Sequence, residues 1–107
     1  MNYTVRISQD AELDLFEIAR YVAQKDSLAK AESLVDQIME RCSTLCIDPT
    51  RGHVPPELSR FSIRTHQQIH FKPYKIIYRI DGKTVWVDCI IDGRRDLEEL
   101  LQRRLIQ

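Results

Sequence analysis

Glycine and proline are scarce in this chain, three and four among 107 residues, and they never gather into a flexible stretch. A linker between domains is therefore not to be found, and residues 1–107 read as a single domain. Long apolar runs are missing too. No segment approaches the roughly eighteen consecutive apolar residues that a membrane span needs, and Met1–Arg6 lacks the apolar core of a secretory signal. Cysteine is sparse and odd in number (Cys42, Cys46, Cys89), which argues against a disulfide framework and for reduced thiols in a cytoplasm. An excess of either charge is also absent: sixteen basic residues balance sixteen acidic ones. Whole-molecule attraction to nucleic acid is thus unsupported, and any such contact would need a local patch. No glycine-rich phosphate loop is present and no serine sits in a nucleophile-elbow setting, so P-loop and triad hydrolases fall away. There is no internal repeat.

What is present is enough apolar material, 43% of residues, to build a small core. A chain this short buries about 60–70% of its unfolded surface, so a bound partner would add noticeably to its stability. Tyr3, Val5 and Ile7 alternate with Thr4, Arg6 and Ser8 at the period of a half-buried strand. Ser8 stands where an N-cap belongs, with Asp10 and Glu12 in the turn after it, where negative charge favours a helix start. Leu15, Ile18, Ala19 and Val22 follow at helical spacing and predict a helix to about Gln24. Asp26–Ser27 breaks and re-caps the chain. Leu28, Ala31, Leu34, Val35, Ile38, Cys42 and Leu45 then form a second apolar stripe that Pro49 is expected to stop. So short a connection predicts an antiparallel helical hairpin.

Asp48 to Pro56 reads as loop. Strand signal returns around Ile69–Phe71, with Ile63 at its upstream margin, and a turn is expected at Lys72–Pro73. Tyr74–Ile80 and Thr84–Ile91 flank Asp81–Gly82, a pair suited to a two-residue hairpin. Leu97, Leu100, Leu101 and Leu105 mark a last helix. Its acids (Asp96, Glu98, Glu99) come early and its bases (Arg103, Arg104) late, as the helix dipole prefers. The order β-α-α-β-β-β-α, with strands clustered after the helices, predicts an α+β fold: a helical hairpin on a small, mostly antiparallel sheet.

Candidate chemistry is thin. Cys42 and Cys46 share a helix face, as two metal ligands would, but they lie along the apolar stripe and no further ligand has zinc spacing, so the expectation is core packing and no metal. No cofactor is indicated. His53 sits in a Gly/Pro loop and His66 in a polar run, both expected to be solvated. His70 lies in a strand and faces either the core or the arginine end. The basic set Lys72, Lys75, Arg79, Arg94 and Arg95, interleaved with Tyr74 and Tyr78, is the strongest remaining signal. A solvated outer face is its plain alternative. Arg94–Arg95 stands apart because it follows Asp92–Gly93 at a strand-to-helix junction, where side chains from several elements converge.

These residues resemble the RelE/ParE toxin superfamily of type II toxin–antitoxin systems, and within it the ParE-like branch of plasmid stabilisation proteins. The resemblance runs from Ile7–Ser8, Ala11–Glu12 and Asp14–Leu15 through Ile18 and Tyr21 to Pro49, Arg51–Gly52–His53 and Pro56–Glu57–Leu58. It is most specific in Pro73–Arg79, Asp92–Leu97 and Arg103–Arg104–Leu105. It implies a cytoplasmic toxin neutralised by a co-encoded antitoxin, without a membrane partner, in a toxin–antitoxin hetero-oligomer. RelE-like members cut messenger RNA on the ribosome, and ParE-like members poison DNA gyrase. Carried over by position, Arg95 matches the arginine after the last strand, with Arg94 beside it. Lys75 replaces the arginine of the third strand. No lysine stands in Gln67–His70, where a pair is expected, and Leu101 falls near the nuclease tyrosine.

In-line RNA cleavage needs a base for the 2′-hydroxyl and preorganised charge for the phosphate. Leu101 supplies neither, and Lys75 lacks a guanidinium fork. The resemblance therefore implies a gyrase-directed toxin. The alternative is a ribosome-dependent nuclease using His70, Lys75, Arg94 and Arg95, and an inactive module that only titrates antitoxin is a third possibility. For the antitoxin, the expectation is apolar anchors at exposed helix margins around Leu15, Tyr21 and Leu34, and acidic contacts to Arg79, Arg94 or Arg95.

Overall fold

A computed structural model describes residues 2–60, 64–95 and 97–106, and for Leu97, Leu105 and Ile106 the backbone alone. Ile63 and Asp96, each assigned a place above, lie outside the described residues, as do the side chains of Leu97 and Leu105. The elements are β1 (Thr4–Ile7), α1 (Gln9–Lys25), α2 (Leu28–Ser43), α3 (Pro56–Ser59), β2 (Gln67–Phe71), β3 (Tyr74–Asp81), β4 (Thr84–Asp92) and α4 (Leu97–Leu101), the last running into a π-helical turn over Gln102–Ile106. The strands form one mixed sheet in the order β1-β4-β3-β2, antiparallel except for β1 on β4. The α+β class and the β-α-α-β-β-β-α order are as expected, with α3 added.

Both caps are where the sequence puts them. Ser8 Oγ accepts from the Ala11 amide at 3.1 Å and Ser27 Oγ from the Lys30 amide at 3.1 Å. The second helix ends earlier than Pro49. Thr44 turns its hydroxyl back on the Arg41 carbonyl (2.6 Å) and Ser43 on that of Glu40 (2.6 Å), and the chain tightens into a 3₁₀ turn at Thr44–Cys46. Side chains of this type compete with the helical ladder for the carbonyls they reach. The hairpin turn also shifts by one. Asp81 and Thr84 still pair, so the two-residue loop is Gly82–Lys83, with Gly82 at φ +59°.

The stretch expected to be loop carries more order than its prolines suggest. Pro49–Arg51 makes a 3₁₀ turn and Pro56–Ser59 makes α3, while His53 bridges to Gln68 through a pair of backbone hydrogen bonds (3.2 and 2.7 Å). Tyr78, fully buried, pins this segment to the sheet. Its hydroxyl donates to the Pro49 carbonyl at 2.6 Å and accepts from the Gly52 amide at 3.2 Å. Only glycine fits at position 52, because a Cβ there would overlap the Tyr78 hydroxyl and stand 2.7 Å from the Gln68 carbonyl oxygen.

The sheet carries a core on each face. On one side α1 and α2 lay Ala11, Leu15, Ile38 and Cys42 over Ile69, Ile76, Tyr78, Val85, Val87 and Ile90. On the other, Leu58 of α3 and Leu101 of α4 cover Ile77, Cys89 and Ile91. Strict alternation would put Val85, Val87, Cys89 and Ile91 on a single face. Instead the β3–β4 pairing slips between Ile77 and Tyr78, so that Ile77 faces Cys89 while Tyr78 faces Val87. Asp88 is the extra residue, a β-bulge that rephases the end of β4. Both cores depend on it.

Candidate functional site: a charged groove between α1, β4 and α4

Below the bulge, β4 loses its neighbour. β1 ends at Ile7 opposite Val87, and Ser8 closes the pairing through its amide to the Val87 carbonyl at 2.9 Å. The next outward-facing backbone groups of β4 are met by side chains instead. Asp14 Oδ2 accepts from the Ile90 amide at 2.9 Å, and Arg104 Nη2 donates to the Asp88 carbonyl at 2.7 Å. Asp14 and Arg104 also pair with each other at 3.0 Å. Burial raises the Asp14 carboxyl above its ordinary range, although the Ile90 amide and Arg104 both favour its charged form.

Past this clasp opens a groove of about 520 Å³. Ile18 and Val22 of α1, Ile90 and Ile91 of β4 and Leu100 of α4 give it an apolar lining, and Tyr21 and Tyr74 add aromatic surface. Arg94, Arg95 and Arg103 stand along it, with Asp14, Glu17 and Asp92 as the acids. Arg94 is held by Asp92 through a forked contact, Nε to Oδ1 at 2.9 Å and Nη2 to Oδ2 at 2.6 Å. That contact keeps the Asp92 carboxyl below the usual carboxylate range. Gly93 lets the junction form: a Cβ there would stand 3.1 Å from the Pro73 carbonyl oxygen and 3.3 Å from the Lys75 side chain. Such a trough, apolar within and edged by three arginines and three acids, suits an amphipathic peptide whose charges match both signs.

The residues expected to act together are divided between the two faces of the sheet. Tyr21, Arg94 and Arg95 meet in the groove, and Tyr21 is exposed, as an anchor requires. Leu15 does not belong with them. It is 8% exposed and packs in the helix-side core, because it shares a helix face with Ala11 rather than with Tyr21. Leu34 is half-buried and packs against the same core. Arg79 lies on the far face, bound to Asp88 at 3.1 Å. His70 and Lys75 are cross-strand partners, also on the far face, where Lys75 Nζ reaches Glu57 at 3.4 Å. His70 is exposed and stands edge-on to His53, ring centroids 5.6 Å apart. Desolvation, then the charges of His53, Lys75 and Lys72, lower its pKa below the ordinary histidine value.

His66, expected to be solvated, is 7% exposed and held by Asp88 Oδ2 at 2.9 Å, because the bulge turns that carboxylate towards it. Reasoning from sequence also missed Tyr74 and Leu100 as groove residues and Arg104 as the sheet-edge clasp. The Arg103–Arg104 pair was their visible signal. Cys42 and Cys89 are buried free thiols that burial pushes up to about 12. No cluster of three or more metal-ligating side chains occurs among the described residues. Nor is any described helix long and apolar enough to cross a membrane.

A family profile described as the ParE toxin of type II toxin–antitoxin systems, parDE, matches residues 5–97 and so takes in the sheet, the helical hairpin and Arg94–Arg95. The chain belongs to the ParE toxin family. Solved structures share its fold, among them two from toxin–antitoxin systems. One is from the chromosomal ParDE system of P. aeruginosa, 18% identical, with a TM-score of 0.72, covering 84% of this chain and 95% of that one. The other is from the RelBE2 toxin–antitoxin complex of Mycobacterium tuberculosis, 21% identical, with a TM-score of 0.62, covering 86% and 99%. No curated protein gives a significant sequence match. This ParE-family toxin thus keeps the superfamily scaffold at low sequence identity.

Proposed function

We propose that this ParE-family toxin arrests growth in the cytoplasm by binding and poisoning DNA gyrase. A co-encoded antitoxin silences it by laying a peptide segment in the α1–β4–α4 groove, forming a toxin–antitoxin hetero-oligomer. One observation carries this reading. Arg94 and Arg95 line a peptide-sized groove of mixed apolar and charged surface with Tyr21 and Tyr74, whereas His70 and Lys75 lie on the opposite face of the sheet. A nuclease needs its base and its phosphate-binding cations around one scissile bond. Here Lys75 is bound to Glu57, each side chain only about 20% exposed, and Leu101 is sealed in the core where a reactive hydroxyl would be wanted. Purified gyrase assayed for supercoiling and for accumulated cleaved complex tests the target. Loss of supercoiling at stoichiometric toxin supports it, and full activity at several-fold excess overturns it.

The ribosome-dependent nuclease is retained as a second reading for one reason. His70 is exposed, and desolvation together with the neighbouring charges of His53, Lys75 and Lys72 favours its neutral form, the form a general base needs. Primer extension on transcripts from induced cells separates the two. Codon-positioned cuts that vanish in His70→Ala would replace gyrase with the ribosome as the target.

A further inference from the structure

The far face of the sheet is roofed at one end alone. There α3 and α4 cover Ile77, Cys89 and Ile91. At the other end the pairing register sets Arg6 of β1, Trp86 of β4 and Arg79 of β3 in one row across three strands. The row must point away from α1 and α2, because the residues flanking it, Val5, Val85, Val87 and Tyr78, all belong to the helix-side core. Trp86 is the chain's single tryptophan and is half-buried. The Arg79 guanidinium lies 5.7 Å from its ring centroid. Arg6, on the other flank, is exposed and has no ion-pair or hydrogen-bond partner among the described residues. Asp88 holds Arg79 by Nε, and one of its two terminal amino groups stands a loose 3.9 Å from Asp81.

We propose that the Arg6–Trp86–Arg79 row binds single-stranded nucleic acid: the Arg79 guanidinium, which lies over the indole in the free protein, yields the ring to a stacked base and takes one flanking phosphate while Arg6 takes the other. Stacking platforms flanked by cations bind single strands with little sequence preference, since every base offers a π-face. A duplex keeps those faces covered, and an acidic peptide would engage the arginines without using the indole. The balanced total charge does not oppose this, because phosphate contacts act within about a Debye length of each cation.

Trp86 supplies its own readout. The toxin is titrated with oligothymidylate and oligouridylate of about ten nucleotides, within the span one such groove covers, and indole fluorescence is followed. Saturable quenching that weakens as salt rises from about 50 to 200 mM is expected. Arg6→Gln, a surface change that leaves the core alone, should weaken binding and reduce the logarithmic salt slope by about 0.7. With a labelled oligonucleotide and anisotropy detection, Trp86→Leu should lose at least about fivefold in affinity while Trp86→Phe keeps most of it. Equal affinity for both polymers would place recognition in base and phosphate, and preference for oligouridylate would add the 2′-hydroxyl. Absence of quenching at low salt, equal competition by blunt duplex, equal quenching by polyglutamate, or an unchanged salt slope in Arg6→Gln would each overturn the proposal. The titration contains neither gyrase nor antitoxin, so its failure would leave the proposed gyrase target untouched.

Discussion

At the scale of single residues, two side chains hold positions that their neighbours in sequence do not foretell. Tyr78 sits in an alternating strand and reads as one apolar residue among several, yet its hydroxyl satisfies both the Pro49 carbonyl and the Gly52 amide. Tyr78→Phe keeps the ring and strands those groups in a buried site, so a loss of about 1–3 kcal/mol is expected. Thermal or urea unfolding checks it, and an unchanged midpoint would show that water takes over both contacts. His70 gives a pH test. Its folded pKa is depressed by desolvation and by the charges of His53, Lys75 and Lys72. A depressed histidine means that the unfolded chain binds the proton more readily. The stability it contributes is therefore complete above the ordinary value of 6.5 and is lost as pH falls through the folded pKa. Because His70 is exposed, the effect on stability is small and the ring itself is the better reporter. Its NMR titration midpoint should lie below that of free histidine and move upward in His53→Ala. A midpoint at the free value in the native protein would remove the electrostatic account.

At the scale of elements, the bulge at Asp88 and the clasp beside it decide how the sheet ends. Asp14 and Arg104, from opposite ends of the chain, occupy the backbone groups of β4 that β1 leaves open. Asp14→Ala uncovers the Ile90 amide and leaves Arg104 without its carboxylate, at a cost of about 2–4 kcal/mol. Asp14→Asn retains an acceptor for that amide and removes a carboxylate that burial disfavours, so it should cost clearly less. Equilibrium unfolding of the two variants tests the ordering, and equal losses would locate the effect in charge rather than in the strand edge. Deleting Asp88 would return β4 to strict alternation with Cys89, Ile90 and Ile91 still on their present faces, and would remove the carboxylate that holds Arg79 and His66. A cooperative unfolding transition at a lowered midpoint is expected from that variant, and an unchanged midpoint would show that Arg79 and His66 do not depend on that carboxylate.

At the scale of the whole molecule, the two faces of the sheet present different surfaces. The α1–β4–α4 groove offers apolar surface with arginines along it, and the far face offers the half-buried tryptophan row. If antitoxin and target share the groove, Arg94→Ala combined with Arg95→Ala should weaken antitoxin binding by at least about tenfold, as expected when charge-assisted contacts of 1.5–3 kcal/mol are lost. The same pair should reduce growth inhibition. Both arginines are exposed, so the double variant should fold normally. Titration calorimetry with the antitoxin and a growth assay without it supply the two readouts. Unchanged affinity together with lost toxicity would mean that the two partners use different surfaces.

Local signals sufficed for the elements. The caps at Ser8 and Ser27, the period-two strands, the helical stripes and the α+β order all rest on contacts between residues near in sequence, which a pattern of residue types encodes directly. The Pro73–Arg79 and Asp92–Leu97 segments likewise carried the family. What pattern could not supply was phase and partner. One additional residue in β4 decides which face Ile90 and Cys89 occupy, and the register with β3 is settled by packing on both sides at once. Leu15 looked like an exposed anchor because helical spacing does not say which stripe meets the sheet. His66 looked solvated because Asp88, its partner, is 22 residues away. The Asp14–Arg104 clasp spans 90 residues, and the Arg6–Trp86–Arg79 row joins three strands. Such contacts exist only once the chain has closed, since their energy depends on groups that sequence distance keeps apart and the fold brings together.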